Sequence, residues 1–196
     1  MHSRVGFAVK HMGIATVRGE FTEFEGTLEV DEDLASANAH GTVQVASVDT
    51  SDPERDEHLR SPDFFDAARY PELRFESTGI EELDDDEFRI TGQLTIRGIT
   101  KAVVLHAEVQ GTDIDPWGNV RVGLEVTSQL SRADYGMKFN QAVASGNSLV
   151  GDKVDLALDI SAVKEANANR MARRATAENA ASQTQPLPTP GRGESL

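Results

Sequence analysis

Apolar and polar residues alternate with a period of two along most of this chain. Val5, Phe7, Val9 and His11 fall on one face and Arg4 and Lys10 on the other, as a strand with one wet face requires. Residues 12–19 contain two glycines and predict a turn or a short helical excursion. Phe24, Gly26, Leu28 and Val30 then alternate with Glu25, Thr27 and Glu29, while Phe21 falls out of phase and predicts a bulge near Thr22 and Glu23. A third strand carries Val43, Val45 and Ser47 on one face, and a fourth spans residues 73–78 with Leu73 and Phe75. Phe88, Ile90, Gly92, Leu94 and Ile96, followed by Val103, Leu105, Ala107 and Val109, predict two adjacent antiparallel strands turned at residues 98–101. A turn at residues 115–119 leads to Val120, Val122, Leu124, Val126 and Leu130, and after an irregular segment Val154, Leu156, Leu158 and Ile160 form the last strand.

The alternation breaks between the third and fourth strands, over residues 47–77. Asp52 and Pro53 form a helix start, so residues 53–60 predict a short helix carrying Arg55, Asp56, His58 and Arg60. Phe64 and Phe65 follow in a loop, and Tyr70 and Pro71 forbid further helix. Two large apolar side chains in an exposed loop would be unfavourable, so this segment is expected to fold back as a lid or plug against the core.

Eight strands with one apolar and one polar face and mostly tight connections imply an all-β fold, an antiparallel sheet closed into a barrel or folded into a sandwich. The barrel is the favoured reading. At eight strands its interior is either just filled by side chains or holds one small ligand. Gly26, Gly41, Gly92 and Gly123 on the inward faces either let the strands bend sharply or leave room for a ligand.

Composition narrows the partners. The 196-residue chain has a formal charge of −14; from Lys164 onward there are five basic and three acidic residues, leaving residues 1–163 with a net −16. Such a domain repels a phosphate backbone and an anionic membrane, so nucleic acid is disfavoured. Without cysteine there is neither a disulfide framework nor a thiolate metal site. No apolar run approaches the roughly 18 residues of a membrane helix, and the N-terminus lacks the apolar core of a signal peptide. A soluble, cytoplasmic protein is expected, or a periplasmic or secreted one if the true start lies upstream. Residues 165–196 lack a sustained apolar face and predict a disordered or partly helical tail after a single domain over residues 1–164.

Candidate chemistry is sparse. The five histidines show no close metal-ligand spacing, and only His11 and His58 are positioned to matter. No metal site, cofactor or catalytic residue is assigned. The Arg55, Asp56, His58 and Arg60 cluster could hold an anionic head group or serve as acid and base, but such charges on a short helix ordinarily form a solvated face.

The segments HSRVGFAVKHMG, ASVDT, ERDEHLRSPDFFD, YPELRFES, LTIRGITKAVVL, DPWGN and SLVGDKVDLALDI, in this order over residues 2 to about 164, resemble the YceI-like family. The resemblance implies a lipocalin-like antiparallel barrel with an inserted helical segment and an elongated apolar cavity for polyisoprenoid or similar amphiphilic lipids, with no shared catalytic activity. The ligand-binding set expected on that basis is Val5, Phe7, Val9, His11, Leu28, Val43, Val45, Phe64, Phe65, Phe75, Leu94, Ile96, Leu124 and Leu158, with Arg55, His58 and Arg60 toward the polar end. The competing readings are an enzyme on such a lipid using Asp56 and His58, and an interaction domain with a filled core. A homodimer is compatible with any of them.

Overall fold

Strand alternation and glycine-assisted turns produce an antiparallel sheet in the computed structural model, which describes residues 3–29, 37–142, 144, 146 and 148–164. The strands are β1 (Arg4–His11), β2 (Ala15–Phe21), β3 (Phe24–Glu29), β4 (Asn38–Gln44), β5 (Val48–Asp49), β6 (Glu72–Asp84), β7 (Glu87–Ile96), β8 (Ile99–Ile114), β9 (Val120–Ser131) and β10 (Val150–Val163), with helix α1 (Pro53–Arg60) between β5 and β6. Their order in the sheet is β3-β4-β6-β7-β8-β9-β10-β1-β2-β5. The chain divides into two units, residues 1–162 and 163–196. The expected tail over residues 165–196 lies outside the described residues.

The two ends of this sheet are made by the same two stretches of chain. β2 runs into β3 through Thr22 and Glu23, and β4 runs into β5 through a tight helical turn, Val45–Ser47. Thr22 N–H donates to the Ser47 carbonyl at 3.2 Å and Gln44 N–H to the Glu23 carbonyl at 2.9 Å, so the β3–β4 ladder continues into β2–β5 and the sheet curls back on itself. The break expected near Thr22 and Glu23 is therefore the corner at which one long strand changes partner.

Several expectations are corrected. Among the described residues ten strand segments replace eight, because both corner strands are split and β2 occupies most of residues 12–19; only residues 12–14 turn, with Met12 at φ 54° and Gly13 at φ 75°. β2 did carry the alternation, in Val17, Gly19 and Phe21, but a side chain is missing at its centre. A Cβ on Gly19 would stand 2.5 Å from the Phe7 ring, so the ring of the neighbouring strand fills that place. Gly92 has the same role: its Cβ would meet the Phe75 ring at 2.5 Å. The space at these two glycines is occupied by phenylalanine. Val45 and Ser47 lie in the helical turn, and the β7–β8 hairpin is tighter than expected, turning at Arg97 and Gly98 with φ of 53° and 70°. That pair of positive angles matches the twist of the flanking strands, and glycine accepts the second without penalty.

The buried core gathers at one end of the barrel. Phe64, Ile96, Tyr135 and Met137 form it, with Leu59, Phe65, Leu73, Leu94, Leu130, Phe139 and Val150 packed around them. Antiparallel connections put the β1–β2 and β7–β8 tips at this helix end and the β6–β7 and β8–β9 tips at the far end.

Candidate functional site

Helix α1 forms over the expected residues because its start is capped. Asp52 Oδ1 accepts the Arg55 N–H at 3.2 Å and Pro53 occupies the first turn, where its missing N–H costs nothing. Asp56, expected on a solvated face, is instead buried. Its Oδ1 accepts both the backbone N–H and the hydroxyl of Thr50, at 2.9 and 2.6 Å. Arg55 completes the clamp by donating to Thr50 Oγ1 at 2.7 Å and to the Thr50 carbonyl at 2.8 Å. Charged side chains thus fasten the helix to the chain leaving β5.

Two arginines hold the loops that follow. Arg97, at the β7–β8 tip, donates to the carbonyls of Phe64 at 2.7 Å and Gly136 at 3.3 Å. Arg132 is buried and donates to the carbonyls of Gly151, Met137 and Val150 at 2.9, 2.8 and 3.2 Å. Burial lowers the pKa of its guanidinium and the Asp152 carboxylate opposes that shift. Each arginine supplies donors to loop carbonyls, Phe64 and Gly136 for Arg97 and Met137 for Arg132, and Arg132 also ties that loop to the start of β10.

Between these loops and the sheet lies an apolar cavity of about 290 Å³, at the small end of ligand pockets. Phe7, Val9, Lys10, His11, Val17 and Phe21 line it from β1 and β2, with Thr50, Arg55, His58, Leu59, Phe64 and Phe65 from the helical insertion. Leu73, Ile96, Leu130, Val154 and Leu156 contribute from the sheet, and Arg132, Tyr135, Met137, Phe139, Leu149 and Val150 from the segment after β9 and the start of β10. His58 stands edge-on to Phe64 and Phe139, with ring centroids 5.0 and 4.7 Å away, and its Nε2 is 2.9 Å from Asp63 Oδ2.

Of the expected binding residues, Phe7, Val9, His11, Arg55, His58, Phe64, Phe65 and Ile96 meet at this cavity. Val5, Phe75, Leu94 and Leu158 continue the same inward faces along β1, β6, β7 and β10, and Leu124 does so along β9 below Leu130. Val43 of β4 pairs with Leu73 of β6, and Leu28 lies opposite Ala39, 43% exposed near the far end. Val45 is buried in the corner turn, its N–H donating to the Pro71 carbonyl. Arg60 is turned away from the cavity and donates to the carbonyls of Ala46 and Val48, both at 3.0 Å. The residues missed by sequence reading are Tyr135, Met137 and Phe139 above all. Their signal was the one that marked Phe64 and Phe65: large apolar side chains in a segment with no regular structure.

Asp56 and His58 do not form an acid and base pair, since Asp56 faces Thr50 and His58 faces Asp63. Among the described residues no group of three or more His, Asp or Glu could hold a metal ion, and no helix is long and apolar enough to cross a membrane.

Residues 1–162 match the family model described as YceI-like domain. Protein YceI of Escherichia coli O157:H7 is 38% identical over 165 residues, covering 84% of this chain and 83% of its own. The fold is similar to the crystal structure of Campylobacter jejuni YCEI protein, with TM-score 0.68 and 29% identity over 80% of this chain and 90% of that one. It is also similar to a polyisoprenoid binding domain from Saccharophagus degradans implicated in plant cell wall breakdown, with TM-score 0.61 and 14% identity over 81% and 92% of the two chains. A barrel with a capped inserted helix, an apolar cavity beneath it and these relatives have one common reading: the chain belongs to the YceI-like family.

Proposed function

We propose that this protein binds a polyisoprenoid or similar amphiphilic lipid, with part of its apolar chain in the cavity beneath helix α1, and acts by sequestering or carrying it. The observation that carries this reading is the cavity itself, about 290 Å³ with an apolar wall inside a folded barrel. Close-packed interiors leave few voids larger than a water molecule, so apolar space of this size suits an apolar guest. Burying hydrocarbon there yields about 25 cal/mol per Å² removed from water without any specific hydrogen bond. The inward faces of β1, β6, β7 and β10 continue the lining with Val5, Phe75, Leu94 and Leu158, which suits a chain longer than the cavity. The polyisoprenoid named for the similar Saccharophagus degradans domain supports the same class of guest.

Binding without turnover is the better reading because Asp56 is buried on Thr50, away from His58, and the His58 ring is packed edge-on to Phe64 and Phe139 in a largely apolar wall. Native mass spectrometry of the freshly purified protein, followed by organic extraction, tests the proposal. A co-purifying or added prenyl lipid bound one to one is the expected result. A protein that carries none and takes up neither a prenyl alcohol nor a prenyl quinone would overturn it.

A further inference from the structure

Tyr135 is 2% exposed and forms part of the cavity wall, yet its hydroxyl has no hydrogen-bond partner. Its companions in the buried cluster are Phe64, Ile96 and Met137, which offer no oxygen or nitrogen acceptor from their side chains. A buried hydroxyl without a partner costs about 1–3 kcal/mol, and native proteins rarely leave one so. The oxygen is closed to a water-sized probe, so a partner reaches it only after a neighbouring side chain shifts, and the cavity that Tyr135 helps to line is the adjoining space from which a guest could do so. Met137 lies in the same cluster, and an unbranched thioether can repack at little cost to let an atom approach.

We infer that the Tyr135 hydroxyl is the hydrogen-bond donor that reads the polar end of the bound lipid, and that this end is an uncharged oxygen acceptor such as a carbonyl or hydroxyl. The inference rests on the proposed lipid binding and specifies which lipid. Burial, reinforced by the Asp134 charge, pushes the phenol up to about 12, so it remains a donor at physiological pH. The cations along the wall are already engaged: Arg132 with three carbonyls, Arg55 with Thr50, Lys10 with Thr16 Oγ1. A diphosphate would therefore find a neutral phenol instead of the bidentate guanidinium forks that bury such charge well. The net −16 of residues 1–163 disfavours it further.

The test titrates wild-type and Tyr135→Phe protein with a polyprenyl alcohol, the hydrocarbon squalene and a polyprenyl diphosphate, measuring affinities and the melting temperature of each ligand-free protein. Wild type should prefer the alcohol to the diphosphate. Tyr135→Phe should lose roughly tenfold in alcohol affinity and keep its squalene affinity, with a ligand-free melting temperature equal to or above wild type. Unchanged alcohol binding in Tyr135→Phe would mean that a water satisfies the hydroxyl, overturning the inference and sparing lipid binding. Equal losses for alcohol and squalene with a lowered melting temperature would make Tyr135 a structural residue only, and tighter binding of the diphosphate would overturn the neutral head. Failure of wild type to bind any of the three would overturn the lipid reading and this inference with it.

Discussion

The two ends of the barrel are built from the same alternating strands and end in opposite states. At the helix end Phe64, Ile96, Tyr135 and Met137 are buried to between 2 and 7% exposure, and of the tips there Ile14, on β1–β2, stands outside the cover at 79%. At the far end Ile114 and Trp117, on the β8–β9 tip, are 67 and 80% exposed, and Leu83, near the β6–β7 tip, is 42% exposed. The difference is the cover. Residues 50–71 and 132–142 fold over the helix end and are fastened there by Arg60, Arg97 and Arg132 on backbone carbonyls. The described far-end tips are short turns; beyond their own bonds, the Asp86 carbonyl of the β6–β7 turn accepts the Val109 N–H of β8. A period-two pattern decides which side chains face inward, and buried polar anchors decide which of them leave water.

The largest expected contrast is between Phe64→Ala and Trp117→Ala. Phe64 is 7% exposed against 80% for Trp117. The first substitution should cost about 3 kcal/mol in urea denaturation, as large-to-small core changes do, and the second under about 0.5 kcal/mol. Comparable losses would mean that the far end is covered in solution. Next comes the anchoring itself. Arg132→Met removes the donor to the buried Met137 carbonyl and to that of Gly151, while Val150 keeps Asn140 Nδ2, and should cost about 1–3 kcal/mol, with faster amide exchange over residues 132–142. No change in exchange there would show that the loop stands without its arginine.

A glycine pair sharpens the comparison along the barrel axis. Gly92→Ala would set a Cβ 2.5 Å from the Phe75 ring and 2.6 Å from the Glu76 carbonyl, and overpacking of this kind should cost about 1–3 kcal/mol. At Gly123 the nearest atom to such a Cβ is 3.6 Å away, so Gly123→Ala should be neutral or stabilising by about 0.5–1 kcal/mol. Equal midpoints for the two variants would contradict the packing described.

The smallest effect concerns acid. Burial pushes the Asp115 carboxyl up, but hydrogen bonds from the Asn119 backbone and side chain, Arg121 and the Trp117 N–H outweigh it and bring it down to about 2. Because this lies below the unfolded value of roughly 3.9, its contribution to stability is complete above that pH and is lost as pH falls through about 2. Trp117, the single tryptophan of the chain, sits on that turn. Its fluorescence should hold from pH 7 to about pH 4 and change toward pH 2; a midpoint near the ordinary carboxylate value would show that the tip is not locked.

Much of the site was legible along the chain. Asp52 and Pro53 announced α1 to the residue, and Phe64 and Phe65 were recognisable as a plug because exposed aromatics in a loop would be unfavourable. β2 was not legible, since Gly19 interrupts its apolar face and the Phe7 ring that fills the gap comes from another strand. Nor was the direction of the charged residues on α1. Asp56 and His58 are two positions apart, and only folding decides that one meets Thr50 and the other Asp63.

What the order of residues determined by itself is local and periodic: which faces of the strands are apolar, where the helix is capped and where the turns can form. These depend on contacts within a few residues of each other. Tertiary structure alone decided that residues 132–142 join the helical insertion over one end of the barrel, that glycine gaps are filled by phenylalanines from adjacent strands, and that the Tyr135 hydroxyl is buried in a cavity wall without a partner. Each of those outcomes depends on atoms brought together from distant parts of the chain, and the alternation of side chains along a strand carries no record of what will lie across from it.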